Sequence, residues 1–190
     1  MPAMDSNQEL AAAVEALRRG GVIAYPTEAV WGLGCDPGNE AAVMRLLQLK
    51  QRPVEKGVIL VAAELEQLRP WLDLDALPAQ RLTEVQASWP GPHTWIMPAA
   101  AGAPAWITGS HSGIAVRVSA HPGVAALCRA FAGPLVSTSA NLAGESPARR
   151  RQDLDPRLLA RLDGLVDGPT AGLAQPTAIR DARDGRVLRG

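Results

Sequence analysis

The chain has 190 residues, 47% of them hydrophobic, which is enough apolar material for one globular domain with a substantial core. Its 19 basic and 19 acidic residues cancel, so net charge provides no general attraction to nucleic acid. Two cysteines exclude a disulfide scaffold, and no apolar run approaches the roughly 20 residues of a membrane helix. The N-terminus lacks a signal-peptide pattern, and we expect a cytoplasmic protein.

Helices and strands alternate along the chain. A capping box at Ser6–Glu9 predicts a first helix that ends at the glycine pair 20–21, and Asn39 is placed to cap a second helix. The remaining pattern predicts strands at 22–25, 58–61, 94–97, 114–118 and 135–137, helices at 64–71, 78–88, from 121 and around 154–162, and short strands near Leu165, Ile179 and Val187. We therefore expect an α/β fold in one domain over residues 1–190, with its core at about 7–190.

The familiar phosphate-binding motifs are missing. Gly32 and Gly34 follow a predicted strand, but Pro37 stands where a dinucleotide fingerprint needs its third glycine. No glycine precedes a lysine, so there is no Walker A loop, and His111 occupies the nucleophile position of the Gly109–Gly113 segment. A phosphate-binding protein of this sequence must use another arrangement.

The only two lysines lie in one heptapeptide, Lys50-Gln-Arg-Pro-Val-Glu-Lys56, although the chain has 19 basic residues. A lysine point charge beside the rigid fork of Arg52 suits a polyanion such as a triphosphate. Pro53 ends the preceding helix, which places the cluster on a loop. A solvated helix C-terminus, where cations are favoured by the helix dipole, is the alternative interpretation.

Two further features point to a ligand-binding edge. The run Ser137-Thr-Ser-Ala-Asn141 follows a predicted buried strand, and ligands of open α/β sheets bind where strands end. A capped turn before a helix would account for the same residues. Arg117 lies inside an apolar strand, and a buried arginine needs a carboxylate or an anionic ligand.

Five segments in this order resemble the threonylcarbamoyl-AMP synthase family (YrdC-like, TsaC-type proteins). They are Gly-Gly-Val-Ile-Ala-Tyr-Pro-Thr-Glu-Ala-Val-Trp-Gly-Leu-Gly at 20–34, Lys-Gln-Arg-Pro-Val-Glu-Lys-Gly at 50–57, Trp-Pro-Gly-Pro-His-Thr at 89–94, Ala-Val-Arg-Val at 115–118 and Ser-Thr-Ser-Ala-Asn at 137–141. The resemblance covers nearly the whole chain. It implies a strongly twisted mixed sheet with flanking helices around a basic cavity, in a short single-domain form.

The resemblance also implies a reaction, in which ATP, L-threonine and bicarbonate give L-threonylcarbamoyl-AMP and pyrophosphate. Mg²⁺ would arrive with ATP, without a metal site or a tightly bound organic cofactor in the protein itself. A tRNA threonylcarbamoyltransferase complex would transfer the product to the adenosine beside the anticodon of tRNAs that read codons beginning with A.

Site residues follow from the same resemblance. Lys50 and Arg52 would be catalytic. The predicted ATP-binding residues are Lys50, Arg52, Arg117, Ser139, Asn141 and Arg189, and the predicted threonine-binding residues are Thr27, Lys56, Thr94, Arg117 and Thr177. Ala178 stands where many relatives have a second hydroxyl, so the contacts at that position are open.

Two alternatives remain at this point. One is an RNA-binding module of the same fold without synthase activity. The Arg149-Arg150-Arg151 run is a candidate contact for RNA or for the nucleotide, although a solvated loop is the favoured interpretation of this run. The other is a carbamoyl-transfer domain like that of hydrogenase-maturation proteins, which carry additional domains.

Overall fold

The computed structural model describes residues 6–189, the last of them by its backbone alone. The helices in this part of the chain are α1 (Ser6–Arg18), α2 (Glu40–Lys50), α3 (Ala79–Ala87), α4 (Ala105–Thr108), α5 (Pro122–Phe131) and α6 (Pro156–Leu159). The strands are β1 (Ile23–Pro26), β2 (Trp31–Cys35), β3 (Ile59–Ala62), β4 (Thr94–Pro98), β5 (Gly113–Val118), β6 (Leu135–Ser139), β7 (Gly164–Leu165), β8 (Ile179–Asp181) and β9 (Val187–Arg189).

The nine described strands form one mixed sheet in the order β7-β1-β2-β6-β3-β5-β4-β8-β9. Three pairs are parallel, β1 with β7, β3 with β5 and β4 with β8, and the other five are antiparallel. The predicted α/β class, with a mixed sheet and flanking helices, is confirmed. No helix within residues 6–189 combines the length and the apolar character required to cross a membrane.

Strand β2 was not predicted, because its sequence, Trp-Gly-Leu-Gly-Cys, resembles a loop. It pairs with β1 so that Gly32 lies opposite Tyr25 and Gly34 opposite Ile23. A Cβ atom on Gly34 would lie 2.7 Å from both the Tyr25 ring and the Val136 carbonyl oxygen. Gly34 therefore makes room for a buried aromatic ring inside a sheet, which is a packing role.

Three helix predictions are corrected. Residues 64–71 form two 3₁₀ turns, because Pro70 lacks the N–H that a continuous helix requires. The helix expected around 154–162 is a single turn that starts at Pro156. The helix expected from Pro78 begins one residue later, and α4 had no predicted counterpart.

The cap predicted at Asn39 is present, α1 already includes Ser6, and a further cap occurs at His121, where only the start of a helix was predicted. The Asn39 side chain accepts a hydrogen bond from the Ala42 N–H at the start of α2. His121 Nδ1 accepts from the Gly123 and Val124 N–H groups at the start of α5. Both helices therefore begin where local chemistry satisfies their first amide donors.

Helices α1 and α5 cover only part of one sheet face. Their apolar side chains, such as Leu17 and Leu127, form one core cluster with Val61 and Leu135 of the sheet. Two residues further along β6, on the same face, Ser137 is covered by neither helix and lines a cavity instead. Helix α2 packs in a separate core cluster with the opposite side chains of the strands.

Candidate active site

A cavity of about 960 Å³ opens on the uncovered part of this sheet face. Its floor includes one cross-strand ladder over five neighbouring strands, made of Ser137, Ile59, Ala115, Ile96 and Asp181. The volume lies at the upper end of the range for small-molecule sites. An apolar centre with polar residues at both ends suits a ligand that has a flat apolar part and charged groups.

Most of the charged residues in the described lining are cationic. The lining contains five basic residues, Lys50, Arg52, Lys56, Arg117 and Arg183, and two acidic residues, Glu28 and Asp181. Because the whole chain is neutral, this excess of positive charge is a local feature of the cavity. The field inside the cavity favours an anionic ligand.

Lys50, at the end of α2, is 9% exposed and holds the segment that follows β6. Its Nζ atom donates to the backbone oxygens of Ser139 and Asn141, at 2.7 and 2.6 Å, and to Asn141 Oδ1, at 2.8 Å. Burial, together with the Arg52 charge, lowers the pKa of Lys50 from 10.5 to about 8. No carboxylate within residues 6–189 forms a salt bridge with this ammonium, so an anionic ligand would supply its counter-charge.

Arg52 and Lys56 line the same end of the cavity on the loop after α2. Arg52 donates from Nε and Nη2 to the Gly57 carbonyl oxygen, at 3.2 and 3.0 Å, which folds the loop back on itself. Gly57 and Gly109 both have positive φ, and a Cβ on Gly109 would lie 2.4 Å from the Glu55 carbonyl oxygen. Only glycine permits this close approach, which fixes the basic loop against the segment after α4.

Arg117 organises the other end. Its Nη1 atom donates to the hydroxyl oxygens of Thr94 and Thr177, each at 3.0 Å, and these two hydroxyls lie 3.0 Å from each other. Arg117 is 6% exposed. A buried arginine surrounded by hydroxyl groups is a suitable receptor for a carboxylate. The neighbouring Ala178 takes part through its backbone, since its carbonyl oxygen accepts from the Thr94 N–H at 3.4 Å.

Glu28 is the residue of this site that the sequence interpretation did not single out. It is 4% exposed, and its Oε1 atom accepts a 2.6 Å hydrogen bond from the Ser119 hydroxyl and lies 3.5 Å from Arg117 Nε. The sequence indicated that a buried Arg117 needs a carboxylate or an anionic ligand. It did not indicate which carboxylate, because Glu28 is distant in sequence. Only the fold brings the two together.

The other predicted residues are placed as follows. The buried Thr27 lines the cavity, and its hydroxyl donates to the Val30 carbonyl oxygen at 2.7 Å. Ser139 lines the cavity as the last residue of β6, not in a loop after the strand as predicted. Asn141 is behind the lining and contacts Lys50, and Arg189 ends β9 with its side chain outside the described residues.

The arginine run at 149–151 is engaged in local contacts. Arg149 donates to the carbonyl oxygens of Leu173 and Ala174, at 3.2 and 2.6 Å. Arg150 pairs with Asp153 and Arg151 with Asp167. These contacts compensate two of the three charges, so the run does not present an unopposed basic surface.

No group of three or more potential metal ligands occurs among residues 6–189. The two lining carboxylates, Glu28 and Asp181, lie on different strands or turns, and Asp181 accepts from the Arg183 N–H at 2.9 Å. A cation in this cavity would have to arrive with its own ligands, as Mg²⁺ does on a nucleotide.

Comparison with known proteins decides the family. The Sua5/YciO/YrdC family model, described as "Telomere recombination", matches residues 15–190. The chain belongs to the Sua5/YciO/YrdC family. This membership confirms the resemblance predicted from the sequence motifs.

Individual members of the Sua5/YciO/YrdC family are also close. Two relatives carry the name threonylcarbamoyl-AMP synthase. The protein of Xylella fastidiosa strain M12 is 67% identical over 98% of this chain and 100% of its own length. The protein of Stenotrophomonas maltophilia strain K279a is 70% identical over 95% of this chain and 97% of its own length. A crystal structure of P. abyssi Sua5 complexed with L-threonine matches with a TM-score of 0.84 and 27% identity, over 94% of this chain and 52% of that one. This chain therefore spans about half of the P. abyssi protein.

Proposed function

We propose that this protein is an L-threonylcarbamoyladenylate synthase, which forms threonylcarbamoyl-AMP and pyrophosphate from ATP, L-threonine and bicarbonate. The observation that carries the proposal is a single cavity with two different polar ends. Lys50 and Arg52 lie at one end, and the Arg117–Thr94–Thr177 cluster lies at the other. Relatives at 67% and 70% identity that carry the synthase name support the same assignment.

The Arg117 end would bind the amino acid. Arg117 would pair with the threonine carboxylate, while Thr94 and Thr177 hold the guanidinium and offer hydroxyl groups to the substrate. Thr27 lines the cavity and completes the proposed threonine contacts, and Lys56 lies at the rim of the basic loop. P. abyssi Sua5, which matches this chain at a TM-score of 0.84, has been crystallised with L-threonine.

The Lys50 end would bind the triphosphate of MgATP. Arg52 lines the cavity, and Lys50 fixes the Ser139–Asn141 segment through three hydrogen bonds while adding its charge. Ser139 and Arg189 are the further residues that we assign to the nucleotide. Mg²⁺ bound to the phosphates would neutralise part of their charge, without a metal site in the protein.

The proposed reaction has two steps. Bicarbonate loses hydroxide to give CO₂, and the threonine amine attacks the carbon of CO₂. The proton that the amine releases combines with the hydroxide as water, which leaves a carbamate. A carbamate oxygen then attacks the α-phosphorus, the bond to the β-phosphate oxygen breaks, and pyrophosphate leaves. Arg52 and Lys50 would stabilise the charge on the departing phosphates, so that positioning and electrostatics, without a protein nucleophile, accelerate the transfer.

The product, a mixed anhydride, reacts readily with water, and a recessed cavity limits its exposure. We propose that a tRNA threonylcarbamoyltransferase complex in the cytoplasm accepts it. Weak RNA binding by this chain is a secondary expectation. The rival interpretation, an RNA-binding module without synthase activity, is not favoured by relatives that carry the synthase name.

The test is mass spectrometry of a short incubation with ATP, Mg²⁺, bicarbonate and L-threonine. We expect a threonylcarbamoyl-AMP peak that appears together with pyrophosphate and disappears when threonine is omitted. Arg52→Ala should abolish the peak, whereas Arg150→Ala, which removes an exposed arginine paired with Asp153, should not. Absence of the product in folded, ATP-binding protein would refute the proposal.

A further inference from the structure

We propose that Glu28 is a positioning residue for substrate selection, which holds Arg117 and balances its charge so that this end of the cavity accepts an amino acid and rejects phosphate. The inference rests on the proposed function, because it takes threonine as the ligand of Arg117. Glu28 lies in the turn after β1, and Arg117 lies near the end of β5. The fold brings together a buried carboxylate and a buried guanidinium 89 positions apart, 117 less 28.

The contacts on the Glu28 side are fixed. Its Oε1 atom accepts from Ser119 Oγ at 2.6 Å, and the same Oγ accepts from the His121 N–H at 3.1 Å. The backbone oxygen of Glu28 accepts from the Leu173 N–H at 3.0 Å. Side chain and backbone are thus both anchored, so the carboxylate has little freedom to leave Arg117.

One polar atom on each side of the pair lacks a hydrogen bond within residues 6–189. Glu28 Oε2 and Arg117 Nε are both buried, and neither has a hydrogen-bond partner in the described part of the chain. The 3.5 Å between Arg117 Nε and Glu28 Oε1 gives an ion pair, not a hydrogen bond. Because both atoms are buried, each is balanced by the opposite charge of the pair, and the cavity presents a neutral pair to its ligand.

Charge explains what that ligand is. Arg117 and Glu28 together carry no net charge, which matches a zwitterionic amino acid with one carboxylate and one ammonium. An uncompensated Arg117 would attract multiply charged anions such as pyrophosphate more strongly than a threonine zwitterion. The carboxylate therefore keeps the two ends of a cationic cavity chemically distinct.

The experiment compares Glu28→Gln, an isosteric change that removes the charge, with Glu64→Gln, which removes an exposed carboxylate outside the lining. We expect Glu28→Gln to raise KM for threonine about tenfold to a hundredfold, as changes of residues that orient a ligand-binding group do. KM for ATP should change less than about twofold, and added pyrophosphate should become a stronger competitive inhibitor against threonine. Glu64→Gln should leave all three quantities unchanged.

A second variant tests the same role if Glu28→Gln does not fold. Ser119→Ala removes the hydroxyl that anchors Glu28 and also accepts from the His121 N–H, and it should raise KM for threonine in the same direction by a smaller factor. In an Arg117→Lys background, Glu28→Gln should add less than about twofold, since coupled residues are not additive.

The outcomes separate the two proposals. A wild-type protein without threonine-dependent product would overturn the proposed function. An active wild type whose Glu28→Gln and Ser119→Ala variants keep the threonine KM and the pyrophosphate inhibition would overturn the role of Glu28 alone. Equal rises in both substrate KM values would do the same, because they would indicate a general structural defect.

Discussion

Replacing Lys50 with methionine should abolish synthesis while leaving the fold nearly as stable as before. Lowering the pKa of Lys50 from 10.5 to about 8 corresponds to about 3 kcal/mol against the buried ammonium, at about 1.4 kcal/mol per pH unit. Methionine removes that cost. It also deprives the oxygens of Ser139 and Asn141 of their donor, at about 1–3 kcal/mol for each group that water does not reach.

Ser139 and Asn141 are only partly buried, so water replaces the ammonium at most of these three oxygens. The remaining loss and the gain are then of similar size, and we expect the free energy of unfolding to change by less than about 2 kcal/mol and the melting temperature by less than about 8 °C. Synthesis should fall about a hundredfold or more, the loss typical of a group that stabilises developing charge. Thermal melts by circular dichroism and pyrophosphate release measure the two effects on one preparation, with Arg129→Met, at an exposed cation outside the cavity lining, as the control. A variant that keeps nearly full synthesis, or one that is largely unfolded at room temperature, would refute the reasoning.

Three further changes have defined outcomes. Thr177→Val should raise KM for threonine about tenfold, because the Arg117 hydrogen bond is lost, with recovery in Thr177→Ser; an unchanged KM would contradict this role. Gly34→Ala should lower stability by about 1–3 kcal/mol, since its Cβ would overlap the Tyr25 ring, whereas Gly102→Ala, with no neighbour within 4 Å, should be neutral in the same denaturant titration. Finally, kcat/KM for ATP should decline as pH rises above about 8, because the free enzyme then loses the Lys50 charge, and a profile flat to about pH 9.5 would contradict the assignment.

How much of the structure the sequence predicts depends on how far apart the interacting residues lie along the chain. The helix cap at Asn39, the helix start at His121 and the break at Pro53 depend on chemistry within a few residues, so the pattern locates them. Strand β2 was missed because the place of Gly34 is explained only by the Tyr25 ring on the neighbouring strand. The helix expected over 64–71 failed at Pro70, whose effect on so short a segment outweighed the apolar spacing.

The same distinction applies to the site. Lys50 and Arg52 attract attention because lysine is rare in this chain and because the segment matches a family motif. A sequence motif, however, does not say what each atom contacts. Lys50 directs its donors to the backbone and side chain of the 139–141 segment, so its first effect is to shape the edge of β6.

The arrangement of the sheet accounts for a cavity with two different ends. Side chains of β5 alternate, so Gly113, Ala115 and Arg117 share the cavity face, and only the last of them carries charge. The small residues leave an open floor between Arg117 and the Lys50 loop. A cavity with the same positive charge at both ends would bind phosphate at either end, and ATP and threonine would compete for the same place. Pairing one cation with Glu28 and leaving Lys50 without a carboxylate in the described chain gives each end a different preference, as a reaction that joins an amino acid to a nucleotide requires.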